Sequence, residues 1–242
     1  MKQSEGQLLA TNAYALLTSD YFSFSKTQCA VFKGTDRAVF LDKREFTGPI
    51  YTQIGEAVDF VLRNIRLGAT IDGLVRREKY ELPPEAIREM IINAHCHRNL
   101  LDESCIQVAV YDDRLEVTSP GGLYNGLTYE EVMNGHSKIR NKGIANIFSQ
   151  MGLVEAWGSG IKRILNAAEE YGLPEPKFQE FDNMFRVELF RNSFPMINEK
   201  ENIGEASEKH RRNIGSNVEN RPQRYTAKDY KIAFRRSSII SG

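Results

Sequence analysis

ELPPEAIREMIINAHCHRN, residues 81–99, is the stretch from which the fold is read. Pro84 can open a helix, because its missing N–H falls among first-turn donors that have no intrahelical acceptor. Ile87, Ile91 and Ala94 then recur at helical spacing, and beside them Glu89, Asn93 and His97 stand four residues apart. Side chains four apart lie one above another on a helix, so these three form a polar row flanking an apolar one. Such a row is either a solvated face or the wall of a site. Its neighbours in the chain bear on the choice.

Upstream, Ile54, Ala57, Val58, Val61 and Ile65 predict an amphipathic helix over roughly 53–66. Before it, CAVFKGTDRAVFLDKREF (29–46) reads as two strands around a Gly-Thr-Asp turn, and residues 7–18 favour a helix. Downstream, SCIQVAVYDDRLEVTSPGG (104–122) is a hairpin turning at Asp112-Asp113 and ending at Pro120-Gly121-Gly122. Thr128 and Glu131 make a capping box, and Asn141 stands where it could cap a helix carrying Ile144, Ile147, Phe148 and Met151, stopped by Gly152. A further helix runs from about Ile161 to Tyr171, and MFRVELF (184–190) alternates as a strand. The pattern predicts an α+β fold, a two-layer sandwich with helices on one side of a mixed sheet.

The 242 residues are 41% hydrophobic, enough for a sizeable core. Lysine plus arginine equals aspartate plus glutamate at 32 each, so net charge argues for neither a nucleic-acid nor a membrane partner. Three irregularly spaced cysteines exclude a disulfide framework and point to a reducing cytoplasm. No apolar run approaches the roughly 18 residues of a membrane span, and the amino end is too polar for a secretory signal. Residues 194–242 are polar without sustained periodicity and are expected to form a disordered tail with a mild excess of basic residues.

Two glycine segments give the polar row a context. SPGGL (119–123) follows a strand and WGSGI (157–161) precedes a helix, both placing glycine where a backbone bends or a ligand comes close. A helix amino end also presents free N–H groups and a positive dipole to phosphate. Arg140 and Asn141 in RNKGIAN (140–146) add a cation and an amide. Asn can lend a neutral oxygen to magnesium and Glu can polarise water, so the set points to a Mg-nucleotide. His95, Cys96 and His97 invite a zinc reading, but adjacent helical side chains point about 100° apart and cannot converge on one ion.

These segments, in their order and spacing, resemble the carboxy-terminal, RecG-helicase-like domain of bacterial transcriptional regulators, a divergent branch of the GHKL ATPase superfamily of gyrases, histidine kinases and MutL. The resemblance covers about residues 50–193. It implies a domain division of 1–50 as the junction after an AlbA-like, Schlafen-type domain, 51–193 as the ATP-binding domain, and 194–242 as the tail. It implies ATP and Mg as cofactors, with Glu89 as water-polarising base and Asn93 as the magnesium ligand. His97 and Arg98 match the family's own HR signature. Gly121 and Gly122 fall in the first glycine box, and Gly158, Ser159 and Gly160 in the second. Arg140 and Asn141 belong to a lid that nucleotide would order.

Two departures qualify this picture. The superfamily opens its first glycine box with an aspartate that reads the adenine amino group, where this chain has Ser119-Pro120, so hydrolysis is expected to be slow or absent. No Walker-type phosphate loop exists, so no unwinding motor is expected. The expected partners are nucleotide, DNA through flanking domains, and a second copy of the chain. Direct DNA contact through the tail, Arg76 and Arg77 is a third reading, marked by steep salt dependence. The alternative to an ATP-binding regulatory domain is a degenerate oligomerisation or protein-interaction module that binds no nucleotide.

Overall fold

A computed structural model describes residues 2–4, 7–9, 11–19, 22, 25–72, 75–154 and 159–192. Trp157, Gly158 and the tail fall outside the described residues, and the side chains of Arg76 and Arg77 are likewise not described.

The chain opens with a short antiparallel pair, β1 (Lys2–Ser4) and β2 (Gln7–Leu9), followed by α1 (Asn12–Thr18). The helix expected over 7–18 therefore begins only at Asn12. Thr11 sets the start: its hydroxyl accepts the Tyr14 N–H at 3.3 Å, while residues 7–9 find their backbone partners across the hairpin. Next come β3 (Thr27–Phe32), β4 (Phe40–Phe46) and α2 (Ile50–Asn64), which buries Ile54, Ala57 and Val61 as their spacing predicts. A separate hairpin, β5 (Leu67–Asp72) with β6 (Val75–Tyr80), leads into α3 (Pro84–His97), which starts at Pro84 and buries Ile87, Ile91 and Ala94. Each of these isoleucines contributes about 2 kcal/mol by leaving water.

The hairpin β7 (Ile106–Val110) and β8 (Arg114–Pro120) turns at Asp112-Asp113. Helix α4 (Tyr129–Met133) carries the full capping box: Thr128 Oγ1 accepts the Glu131 N–H at 3.2 Å, and the Glu131 carboxylate accepts the Thr128 N–H at 2.8 Å. Helices α5 (Lys142–Gln150) and α6 (Gly160–Glu170) follow, then β9 (Lys177–Phe181) and β10 (Met184–Phe190). Asp182 and Asn183, both at positive φ, make the tight turn between these last strands.

Six strands form one sheet in the order β4-β3-β7-β8-β10-β9. All its pairings are antiparallel except β3 with β7. The fold is thus α+β with a mixed sheet. Strands β3 and β4 lie within residues 1–50, yet they are built into the same sheet as β7, and Leu16 and Leu17 of α1 join the same core. One sheet face, through Cys29, Val108, Val117, Phe178 and Val187, packs with the helices into that core. The opposite face carries a small apolar cluster of Phe32, Ala109 and Tyr111 beside a charged network. There Arg114 pairs with Glu116 at 2.7 Å and reaches Glu188 at 3.8 Å, with Arg37 and Arg186 also on Glu116.

Candidate nucleotide site

Helix α3 crosses the carboxyl end of β8 and packs along α6. At the junction lies an open cavity of about 120 Å³. Asn93 and His97 reach it from α3, Ser119, Gly121 and Gly122 from the end of β8, and Gly160 from the start of α6. Met90, Val117, Ile164, Phe178 and Val187 make its apolar floor. His136, Ser137 and Lys138, in the segment between α4 and α5, stand at its rim.

The turn after β8 requires glycine. Gly121 has φ +97°, and a Cβ there would lie 2.8 Å from Cβ of Asn99 and 3.1 Å from Cζ of Arg140. Its N–H donates to the Asn183 carbonyl at 2.7 Å, and the Asn99 N–H donates to the Pro120 carbonyl at 2.7 Å, so the turn is held from both sides. Glu180 of β9 packs against Gly122 and accepts the Leu123 N–H at 3.0 Å.

Glu89 lies behind the cavity wall, 4% exposed, one turn before Asn93 on α3. Asn93 Nδ2 donates to Glu89 Oε1 at 3.3 Å, and Arg163 Nη1 lies 3.9 Å from Oε2. Burial raises the Glu89 carboxyl above its ordinary range, against the opposing charges of Arg163 and Arg88 and the Asn93 hydrogen bond. A raised carboxyl beside a cavity has the character of a general base. The backbone of Gly160 rests on this pair. A Cβ there would run into the Glu89 carboxylate and lie 2.8 Å from Asn93 Nδ2. With Nδ2 turned to Glu89, the Asn93 carboxamide oxygen is the atom this side chain could offer to a cation.

The rest of the row and its neighbours separate. His97 lines the cavity, its imidazole held neutral by burial and by the nearby Arg140 charge. Arg98 turns inward, 2% exposed, and donates to the Ser104 carbonyl at 2.8 Å, away from the cavity lining. His95 points to Thr27, Nε2 to Oγ1 at 3.2 Å, and the Cys96 thiol is buried. Arg140 donates to the Gly122 carbonyl at 2.6 Å and lies over the Tyr124 ring at 4.9 Å, clamping the glycine turn. Asn141 occupies the N-cap position of α5 but makes no side-chain cap bond. Its Nδ2 donates instead to the carbonyls of Cys96 at 3.1 Å and Arg98 at 2.7 Å, tying α5 to the end of α3. The reason is the tertiary approach of two carbonyls that α3 leaves unpaired at its end. Ser159 precedes α6 without capping it through its side chain.

Sequence reasoning passes over Lys138, whose Nζ donates to the Asn125 carbonyl at 3.0 Å across the rim, and over Glu180. Neither sits in a glycine segment or a periodic row, so nothing local marks them.

Residues 103–189 match the family model described as "Putative ATP-dependent DNA helicase recG C-terminal". That segment runs from just before β7 almost to the end of β10, and carries both glycine boxes together with Arg140 and Asn141. No curated protein matches the chain. Among solved structures, the crystal structure of the DIP2311 protein from Corynebacterium diphtheriae is similar, with a TM-score of 0.63 at 22% identity. The match covers 73% of this chain and 35% of that one, so the chain spans about a third of the length of that relative. At this identity the likeness is one of fold.

Proposed function

We propose that the chain is a nucleotide-binding regulatory domain that takes Mg-ATP in the cavity between α3, α6 and the end of β8. The observation that supports this reading is the convergence of Asn93, His97, Gly121, Gly122 and Gly160, from three separate segments, on one cavity with an apolar floor and a polar rim. The base lies on the floor, the glycine backbone admits the phosphates closely, and the α6 amino end faces their charge. Asn93 holds the magnesium, which neutralises phosphate charge when bound. Glu89 orients water, and turnover is slow or absent. Ligand on the rim displaces the Arg140 and Lys138 ties, and the changed α4–α5 segment alters association with DNA through flanking domains or with a second copy of the chain.

Thermal-shift titration of the purified protein with ATP, ADP and GTP, with and without magnesium, tests this, because a ligand that binds only the folded state raises the midpoint. A magnesium-dependent rise with ATP, lost in Asn93→Ala, is expected. Glu89→Ala should keep binding and lose turnover. Equal affinity in wild type and Asn93→Ala would sink the assignment. No shift with any nucleotide at millimolar concentration would leave the interaction-module reading in its place.

A further inference from the structure

The chain carries no net charge, yet its cations are unevenly spread. From Val132 to Val154 there is no aspartate or glutamate, and within that run His136, Lys138, Arg140 and Lys142 follow one another at every second position. Residues 136–140 belong to no helix or strand, and Lys142 opens α5. His136, Lys138 and Lys142 are exposed and Arg140 is half-buried. Two of these cations meet a second acid-free stretch, the turn that follows β8. Lys138 Nζ donates to the Asn125 carbonyl at 3.0 Å and Arg140 Nη2 to the Gly122 carbonyl at 2.6 Å. Tyr124 stands in the chain between those two carbonyls, its ring centre 4.9 Å from the Arg140 guanidinium carbon and the residue 39% exposed. Of the acids beside this surface, Glu131 is bound to the Thr128 N–H and Glu180 to the Leu123 N–H, while Glu130 is exposed.

We propose that a single-stranded polynucleotide docks along residues 136–142, with one of its bases stacked on Tyr124. A carbonyl contact uses one of the three donors of a lysine and one of the five of an arginine, so Lys138 and Arg140 keep both their charge and N–H groups for phosphate oxygens. Cations in a row beside an exposed aromatic ring are the two parts that hold a single strand, the row tracking the phosphates and the ring taking a base face. Each part narrows the ligand. An acidic peptide pairs with the cations but brings no flat ring to Tyr124, and a duplex keeps its base faces stacked on one another. The inference does not depend on nucleotide in the cavity, because neither Glu89 nor Asn93 takes part in it.

The test is fluorescence anisotropy of the full chain with a labelled oligothymidylate, without nucleotide or magnesium, across about 50 to 300 mM salt. Wild type is expected to show a slope of log affinity on log salt of about −2 to −3, as roughly three or four phosphates at about 0.7 each require. Lys138→Gln and Lys142→Gln should each flatten that slope by about 0.7, whereas Tyr124→Ala should weaken binding about tenfold and leave the slope alone. Tyr124→Phe keeps the ring and should bind as wild type does, which separates stacking from any loss of fold in the alanine variant. The same oligonucleotide annealed to its complement should bind more weakly. No binding, binding unchanged in all three of the lysine and alanine variants, or equal competition by a polyglutamate peptide of matched charge overturns the inference. Because the titration contains no nucleotide, its failure leaves the cavity reading standing, and failure of the thermal-shift test leaves this one.

Discussion

Asn93 and Glu89 meet one helical turn apart on α3, Nδ2 to Oε1 at 3.3 Å, with the Gly160 backbone of α6 resting on both. The contact makes a buried carboxylate, a cavity-lining amide and the start of a second helix into one mechanical unit.

Glu89→Gln should stabilise the folded chain at neutral pH by on the order of 1 kcal/mol, because a buried charge with incomplete pairing is replaced by a neutral isostere. The folded carboxyl is raised above its unfolded value near 4.5, chiefly by burial. Its contribution is therefore fully present below that value and is lost as pH rises through the folded pKa. Urea midpoints from pH 4.5 to 8 should fall less in the variant than in wild type, and parallel curves would refute the assignment.

His95 gives the opposite dependence. Burial lowers its imidazole from 6.5 to about 3, with the Arg98 charge adding to the effect. Between those values the unfolded chain binds the extra proton, so stability falls as pH drops from 6.5 toward 3. The denaturation midpoint should decline through that window, and His95→Gln should flatten the decline.

Gly121→Ala should cost roughly 1 to 3 kcal/mol, since the residue sits at φ +97° and a new methyl meets Asn99 Cβ at 2.8 Å. Gly126, at φ +70° with open space around it, should lose less on the same change. Thermal melts of the two variants side by side would show whether packing adds to backbone strain at the cavity turn.

Asn141→Asp separates a cap from a tie. An aspartate serves a helix N-terminus as well as asparagine does, so a capping role predicts little change. The observed role is donation to two carbonyls, which aspartate cannot make and would repel. A loss of about 1 to 2 kcal/mol, no smaller than for Asn141→Ala, is expected by chemical denaturation.

Much of this architecture was legible in local chemistry. Pro84 marked the start of α3, the Thr128–Glu131 box marked α4, and the alternation in residues 184–190 matched β10. The elements passed over were those with weak local signals. In the β5–β6 hairpin, Arg76, Arg77, Glu78 and Lys79 run on without an apolar alternation, and β9 is only five residues long with Gln179 and Glu180 at its centre. Residues 7–9 carry helix-favouring side chains but pair with β1, a partner that helix propensity does not weigh.

By itself the sequence determined the spacing of Glu89, Asn93 and His97 on one helix, the glycine turn at Gly121 and the apolar rows that drive the core, because each depends on residues within a few positions of one another. The tertiary structure decided which polar groups share a cavity and which are spent on the scaffold. Asn93 and His97 line the cavity with Ser119 and Gly160, while Arg98 and Asn141 hold backbone carbonyls instead. Insertion of β3 parallel to β7 was likewise outside local reach. Burial and hydrogen-bond partners are properties of segments brought together across the chain, and they decide what a polar side chain is free to do.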